Sequence, residues 1–473
     1  MAFNSVSYLL AFATVFILYW LIPLKYSRVK NVFLLIVSYL FYMIWNPSYA
    51  LILLWVTLAT YSGARMIGKW DGNSRKRLND GLVAVICLLP LILFKYYNFI
   101  NDNISLLLRS IGIEPRLPRL SLLMPVGLSF YTLQALGYLF DVYHKRISSE
   151  KNFIDYALFI CFFPQIASGP ISKAQELLPQ IKKVRYFQFD RAVSGLKYFL
   201  IGLFLKTVVA DRAGIYVDTV YLNYEKFSAL NCFVASVIYS VQIYADFCGY
   251  SLMAVGSGKL LGFDLIKNFN KPYFATSITE FWRRWHISLS RWLKNHVYIP
   301  LGGSRGHKLH TYFNILITFL VSGIWHGANW TFIAWGLLHG IVQIIERLLG
   351  KDKKRYQTAG QRILPMIITF LVVNFAWIFF RAPDFHTAVS FIGRIFEFNS
   401  LFGFSTEGID TLLYFLIAFL PIVFYEILAE FSPSLLRKIQ KPRCVKWAVY
   451  LILVSMILLI GVLDGSGFIY VSF

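Results

Sequence analysis

Long apolar stretches recur along most of this chain and set its expected architecture. Each has, or approaches, the roughly 20 residues that a helix needs to cross a bilayer. The first is MAFNSVSYLLAFATVFILYWLIPL, which has no basic residue ahead of its apolar core, so we interpret it as an uncleaved span and not a signal peptide. The others cover residues 31–45, 49–64, 82–98, 121–142, 194–210, 230–256, 312–326, 331–346, 364–380, 411–428 and 447–463. The pattern predicts an all-α integral membrane protein with about twelve spans and an apolar stretch at 153–170 that enters the membrane and returns.

Composition and charge agree with this prediction. Of the 473 residues, 57% are hydrophobic and only 15% are charged, whereas soluble domains carry about 25% charged residues. This balance excludes a soluble enzyme and a secreted disulfide scaffold. The formal net charge is +22, which in a membrane protein indicates basic cytoplasmic loops and not nucleic-acid binding.

The basic residues also predict an orientation. They cluster at residues 25–30, 65–77, 144–151, 173–191, 259–308, 347–362 and 437–446. If both termini lie outside, every one of these clusters falls on the cytoplasmic side. Only the loop at 99–120, which contains Arg109, Arg116 and Arg119, fits poorly.

No tandem repeat or soluble linker interrupts the chain, so we expect a single polytopic domain over residues 1–473. Its predicted parts are N-terminal helices at 1–150, a catalytic core at 151–350 and C-terminal helices at 351–473. Transporters often show internal repeats and paired broken helices. Neither is visible, which favours an enzyme over a polysaccharide exporter. A passive membrane scaffold is a third possibility, against which the chemically rich polar stretch before residue 312 argues.

The long polar stretch before residue 312 contains a predicted amphipathic helix at 278–296. Its apolar side chains, four of them aromatic, recur at steps of three and four residues, as on one face of a helix. The basic side chains that point elsewhere are Arg283, Arg284, Arg291 and Lys294. A helix with this division lies in the membrane interface. Its cations suit either the phosphates of an anionic donor or lipid head groups.

His286 lies beside the tryptophan face of this helix. Two interpretations fit it: an interfacial side chain hydrogen-bonded to a carbonyl, or a titratable group at the mouth of a membrane cavity. The nearby sequence GGSRG at 302–306 matches G-x-S-x-G. A nucleophile elbow needs a parallel sheet, so we interpret this sequence as a turn. His307 and His310 lack carboxylate or Cys neighbours, and we expect no metal site.

His326 lies at the end of one apolar run and shortly before the next, within SGIWHGANW. Gly323 and Gly327 flank it at the spacing that lets helices approach closely, and Trp325 and Asn329 are predicted to support it. Such a residue at membrane depth indicates an active site or pathway, although a packed structural histidine fits equally well. His339 has fewer polar neighbours, which favours a structural role.

Asp246 is the second ionisable residue at predicted membrane depth, within YADFCGY. A carboxylate there must find a partner or become protonated. We expect it to orient a histidine or to pair with a basic residue.

Several blocks of this sequence resemble the membrane-bound O-acyltransferase family, and within it the alginate O-acetyltransferase type. The blocks are LLPLILFKYYNF, MPVGLSFYTLQALGYLFDVYH, FFPQIASGPI, YADFCGYSLMAVG and FAWIFFRAPDF, with the densest agreement from NFNKPYFATSITEFWRRWHISLSRWL to GIWHGANWTFIAWGLLHG. The resemblance implies a helical fold around a central tunnel. It also implies an enzyme that transfers an acyl group from a thioester to a hydroxyl, with His326 essential and His286 supporting.

The resemblance further implies a bacterial cytoplasmic membrane, a donor such as acetyl-CoA or an acyl carrier protein, and no bound cofactor. The acceptor is expected to be a cell-envelope or secreted polysaccharide, reached through periplasmic or extracellular partner acetyltransferases of the SGNH type. Cys248 and Leu252 depart from the alginate-type pattern, which has Ser and Asp there. Leu252 resembles the D-alanine-transferring branch, so D-alanyl transfer is the alternative.

Overall fold

Our computed structural model describes residues 3–69, 73–114, 117–167, 169–353, 356, 358–397 and 409–463, and most of these residues are helical. Throughout these ranges there is no β-strand, so the all-α prediction is confirmed. Seven helices there are long and apolar enough to cross a membrane, or eight if one sharply bent pair counts as a span. The expected number of about twelve is therefore not confirmed.

The lower number arises from predicted runs whose helices are not among the candidate spans. The run at 121–142 forms the helix Leu128–Tyr143, which has only 16 residues. The runs at 312–326 and 331–346 form Lys308–His326 and Trp330–Leu348, which also are not candidates. The stretch at 153–170 forms only a short apolar helical segment, Phe153–Ile166. That segment is shorter than the roughly 20 residues that a span requires, in agreement with the prediction that it does not cross fully.

The chain divides into two compact units. The first contains residues 6–196 and 254–266. Its helices are α1 (Val6–Leu21), α2 (Ser27–Met43), α3 (Tyr49–Ile67), α4 (Asn73–Leu91), α5 (Tyr97–Ser110), α6 (Leu128–Tyr143), α7 (Phe153–Cys161), α8 (Phe163–Ile166), α9 (Ala174–Lys182) and the start of α10 (Phe189–Phe204). Helices α1 and α2 meet at a bend of 110°, which follows Pro23, a residue that cannot continue a helix's hydrogen bonds.

The second unit contains residues 197–253 and the described chain from residue 267 onward. After the rest of α10, its helices are α11 (Asp211–Leu222), α12 (Ala229–Leu260, shared with the first unit), α13 (Ile278–Arg284), α14 (Ile287–Leu293), α15 (Lys308–His326), α16 (Trp330–Leu348), α17 (Ala359–Arg381), α18 (Phe385–Ile395), α19 (Ile409–Phe431), α20 (Pro433–Ile439) and α21 (Arg443–Ile460). Every predicted site residue lies in this unit.

The prediction of a single helix at 278–296 is wrong, because the structure contains two short helices in this segment. Helix α13 ends at Arg284, and α14 begins at Ile287. Between them, the extended segment at 268–270 supplies backbone partners: Asn270 N–H donates to the Arg284 carbonyl and Ile287 N–H donates to the Asn268 carbonyl, both at 2.9 Å. These bonds replace those that an unbroken helix would make on either side of the break.

Candidate active site

His326 is the last residue of α15, at the tip of the hairpin that α15 forms with α16. Glycines let these two helices touch backbone to backbone. A Cβ atom added to Gly323 would lie 2.3 Å from the Phe332 carbonyl oxygen, and one added to Gly336 would lie 2.4 Å from that of Phe319. The predicted role of Gly323 in close helix packing is confirmed, and this packing fixes where His326 points.

Aromatic rings surround the His326 imidazole, which is only 4% exposed. Its ring centroid lies 4.9 Å from that of Trp335 and 5.3 Å from that of Phe380, both edge-on. The neighbouring Trp325 ring lies 4.8 Å away. Such walls exclude bulk water from one side of the imidazole.

His286 occupies the break between α13 and α14 and has a left-handed backbone, with φ of 40°. The clamp by Asn268 and Asn270 on either side imposes this conformation, which is uncommon outside glycine. Its side chain is fully buried. Burial lowers the pKa of His286 to about 3, so the imidazole is neutral at physiological pH.

Trp325 links the two histidines that the sequence had singled out. Its ring centroid lies 6.2 Å from that of His286 and 4.8 Å from that of His326. On its other side, His286 meets Phe247 edge-on at 4.6 Å. The structure thus brings together two histidines that are 40 positions apart in sequence, with an indole ring between them.

Asn329, predicted to support His326, caps the helix that follows it. Its Oδ1 accepts from the Thr331 N–H at 3.0 Å, and its Nδ2 donates to the Pro383 carbonyl at 2.6 Å. An N-cap of this kind satisfies a backbone donor that the first turn leaves open. Asn329 therefore fixes the start of α16 and holds it against the end of α17.

Asp246 pairs with a basic residue, one of the two outcomes expected for it. Lys206, in the π-helical segment Leu205–Ala210 between α10 and α11, places its Nζ 2.7 Å from Asp246 Oδ1 and 2.8 Å from Asp211 Oδ1. The three side chains are at most 3% exposed. Gly202 and Gly249 permit this arrangement, because a Cβ added to Gly249 would lie 2.7 Å from the Gly202 carbonyl oxygen.

The four basic residues proposed for donor binding separate into two groups. Arg283, Arg291 and Lys294 are exposed. Arg284 is engaged in ion pairs, with its NH2 atom 2.6 Å from Glu280 Oε1 and 3.1 Å from Glu430 Oε1. Glu430 also binds Lys271 and Arg362, each at 2.6 Å. The guanidinium of Arg284 thus joins α13 to α19 in an ionic network.

The remaining sequence motifs are structural. In the GGSRG sequence, Ser304 lies in a turn with left-handed glycines on both sides, and its Oγ lies 2.8 Å from the Tyr298 hydroxyl oxygen. With no strand in the described chain, a nucleophile elbow is excluded. Nowhere in the described chain do three or more His, Cys, Asp or Glu side chains come together so that they could hold a metal ion.

His339, for which the sequence favoured a structural role, lies near this site. Its ring centroid lies 5.1 Å from that of Trp335, whose centroid lies 4.9 Å from that of His326. The signal available in the sequence was the four-residue step from Trp335 to His339, which places the two residues on one face of α16.

Comparison with known proteins finds similar sequences over most of this chain. The model of the membrane-bound O-acyltransferase family matches residues 143–382, which include both His286 and His326. A probable alginate O-acetylase AlgI of Azotobacter vinelandii is 37% identical over 405 residues, or 84% of this chain and 79% of the relative. The peptidoglycan O-acetyltransferase of Helicobacter pylori is 36% identical over 430 residues, or 84% and 80%.

A more distant relative represents a second chemistry. The teichoic acid D-alanyltransferase of Bacillus subtilis is 26% identical over 333 residues, or 66% of this chain and 81% of the relative. All of these proteins are acyltransferases by name, and the family match covers the catalytic core predicted here. The chain therefore belongs to the membrane-bound O-acyltransferase family and is a multi-pass membrane enzyme that transfers an acyl group to oxygen.

Proposed function

We propose that this enzyme moves an acetyl group from a cytoplasmic thioester, across the bacterial cytoplasmic membrane, to hydroxyl groups of a cell-envelope or secreted polysaccharide. The observation that carries the proposal is the meeting of His286 and His326 across Trp325 in a closed aromatic setting. The acetyl-transferring relatives, at 36–37% identity, support acetyl as the group transferred.

His326 acts as the general base. Its neutral imidazole takes the proton of the acceptor hydroxyl while that oxygen attacks the thioester carbonyl carbon. The carbon–oxygen bond forms, the carbon–sulfur bond breaks, and the proton passes to the departing thiolate. General-base catalysis contributes about 10²–10⁴ in rate.

His286 supports the same step from the other side of Trp325. Because its pKa is lowered to about 3, it offers one N–H donor without carrying a positive charge. We propose that this donor polarises the thioester carbonyl oxygen as negative charge develops there. Its rigid backbone setting gives the donor a fixed direction.

The donor binds from the cytoplasmic side through the exposed residues Arg283, Arg291 and Lys294, whose cations suit phosphates. Coenzyme A and the prosthetic arm of an acyl carrier protein both carry phosphate. Outside the membrane, partner acetyltransferases of the SGNH type complete transfer to the polysaccharide. In this orientation both chain termini face outward.

The second candidate is D-alanyl transfer. Leu252 favours it, since that position resembles the D-alanine branch, and the relative in Bacillus subtilis carries out this chemistry by name. The lower identity and smaller coverage of that relative favour acetyl transfer for this chain.

The test is ester formation in proteoliposomes that hold the purified enzyme, a polysaccharide acceptor and a partner acetyltransferase of the SGNH type. The proteoliposomes are given acetyl-CoA, an acetylated carrier protein or a D-alanyl carrier protein. We expect acetyl ester from the wild type and a loss of at least about 100-fold in His326→Gln. His307→Gln is the matched control, because His307 is an exposed histidine at the opposite end of the same helix. Near-normal transfer by His326→Gln at equal membrane levels would refute the mechanism, and D-alanyl ester alone would select the second candidate.

A further inference from the structure

His339 lies in a cage of aromatic rings and is fully buried. Trp282 of α13 and Trp335 of α16 each meet it with ring centroids 5.1 Å apart. Rings from α13, α15 and α17 complete the cage through Phe281, Phe319 and Trp377. Four helices thus converge on this one imidazole.

The cage leaves polar atoms unsatisfied. Neither ring nitrogen of His339 has a hydrogen-bond partner in the described part of the chain, and the same holds for Nε1 of Trp282 and of Trp335. Buried polar atoms without partners destabilise a fold. A phenyl ring would fill nearly the same space without that cost, so a histidine here lowers stability.

The ring positions indicate a function of the His339 imidazole that accounts for this loss of stability. A neutral imidazole accepts one hydrogen bond, and two indole rings that each carry an N–H donor, those of Trp282 and Trp335, lie with their centroids 5.1 Å from it. One of these donors belongs to Trp335, whose ring also lies edge-on against His326 at 4.9 Å. A bond from Trp335 Nε1 to His339 would set the tilt of the indole, and with it the position of His326.

We propose that His339 is a positioning residue that acts on His326 through Trp335, by accepting the indole N–H of Trp335 during acyl transfer. This inference rests on the proposed role of His326 as the general base. It assigns to His339 a part in the reaction in place of the structural role that its sequence surroundings favoured.

The test compares His339→Phe with the wild type in two measurements. In detergent without substrate, we expect the Tm of the variant to rise by about 1–3 °C, because the unsatisfied nitrogens are gone. In proteoliposomes, we expect kcat to fall at least tenfold, with KM within twofold. If His339 were purely structural, its replacement would lower the Tm of the protein. It would not lower kcat while leaving KM unchanged.

Two further variants keep the test decisive if His339→Phe does not fold. His339→Gln retains a hydrogen-bond acceptor and should recover part of kcat. Trp335→Phe removes the indole N–H and should lower kcat as His339→Phe does, and the double variant should be no slower than either single variant. Additive losses, or full activity in Trp335→Phe, would overturn the proposal.

The failure of this inference is distinguishable from failure of the proposed function. An inactive wild type with every thioester donor would refute the proposed function. An active wild type, together with a His339→Phe variant that folds and is either equally active or less stable, would refute the inference alone. His307→Phe, an exposed substitution of the same kind, should change neither measurement.

Discussion

Two regions of the second unit bury polar side chains, and they hold these side chains by different kinds of contact. The ionic cluster, Lys206 with Asp211 and Asp246, is bound by contacts of 2.7 and 2.8 Å between opposite charges. The histidine–tryptophan cluster, which we define as His286, Trp325, His326, Trp335 and His339, is joined by ring contacts of 4.8 to 6.2 Å.

The difference follows from charge. Ionised groups at membrane depth persist only when paired, because an isolated buried charge is very costly. Neutral imidazole and indole tolerate an apolar cage at a smaller cost. The ionic cluster is therefore held by paired charges, whereas the histidine–tryptophan cluster is held by contacts between neutral rings.

The largest expected effect is in the ionic cluster. Lys206→Met would leave two buried carboxylates without their shared ammonium, and we expect a loss of about 3–5 kcal/mol in stability. Tm in detergent and the amount of folded protein in membranes measure it. Lys197→Met is the control, since Lys197 is an exposed lysine of the same long helical stretch. A loss similar to that of the control would show that the ion pairs do not stabilise the fold.

The second prediction concerns pH and the histidine–tryptophan cluster. Burial lowers the pKa of His286 from 6.5 to about 3, so below pH 6.5 the unfolded chain binds a proton that the folded chain does not. Stability is therefore lost as pH falls from about 6.5 towards 3, by about 2 kcal/mol at pH 5. Tm of the wild type should fall more between pH 7 and pH 5 than that of His286→Asn. Equal falls would mean that His286 is protonated in the folded protein.

The smallest effect is expected at Asn329, where conventional hydrogen bonds hold the cluster's hairpin. Asn329→Ala removes the cap of α16 and the bond to Pro383, and we expect a loss of about 1 kcal/mol. Asn329→Asp keeps the capping oxygen and should lose less. Measured Tm values would rank the three proteins, and an Asp variant as unstable as the Ala variant would assign the effect to the Pro383 contact instead.

The sequence predicted those features that depend on residue type and local spacing. Apolar runs predicted an all-helical membrane protein, and the glycine spacing beside His326 predicted close helix packing. The cost of a buried carboxylate predicted a partner for Asp246, although not Lys206, which lies 40 positions away.

Features made by distant contacts could not be predicted. Nothing local interrupts the periodicity at 278–296; the break comes from backbone bonds to the segment at 268–270. Similarly, the Arg284 guanidinium is a group that suits phosphate, yet Glu430, 146 residues away, binds it. Five aromatic residues on four helices create the cage of His339, and no spacing rule connects them.

The left-handed backbone of His286 has a consequence for saturation mutagenesis. With φ of 40°, position 286 admits Gly without strain and Asn with little, and penalises β-branched residues whatever their chemistry. Protein yield across all substitutions at 286 should therefore order by backbone tolerance, with Gly and Asn highest and Val and Ile lowest. At this position, the effect of a new side chain on catalysis can be separated from its effect on folding only after the backbone of residues 284–287 has been changed.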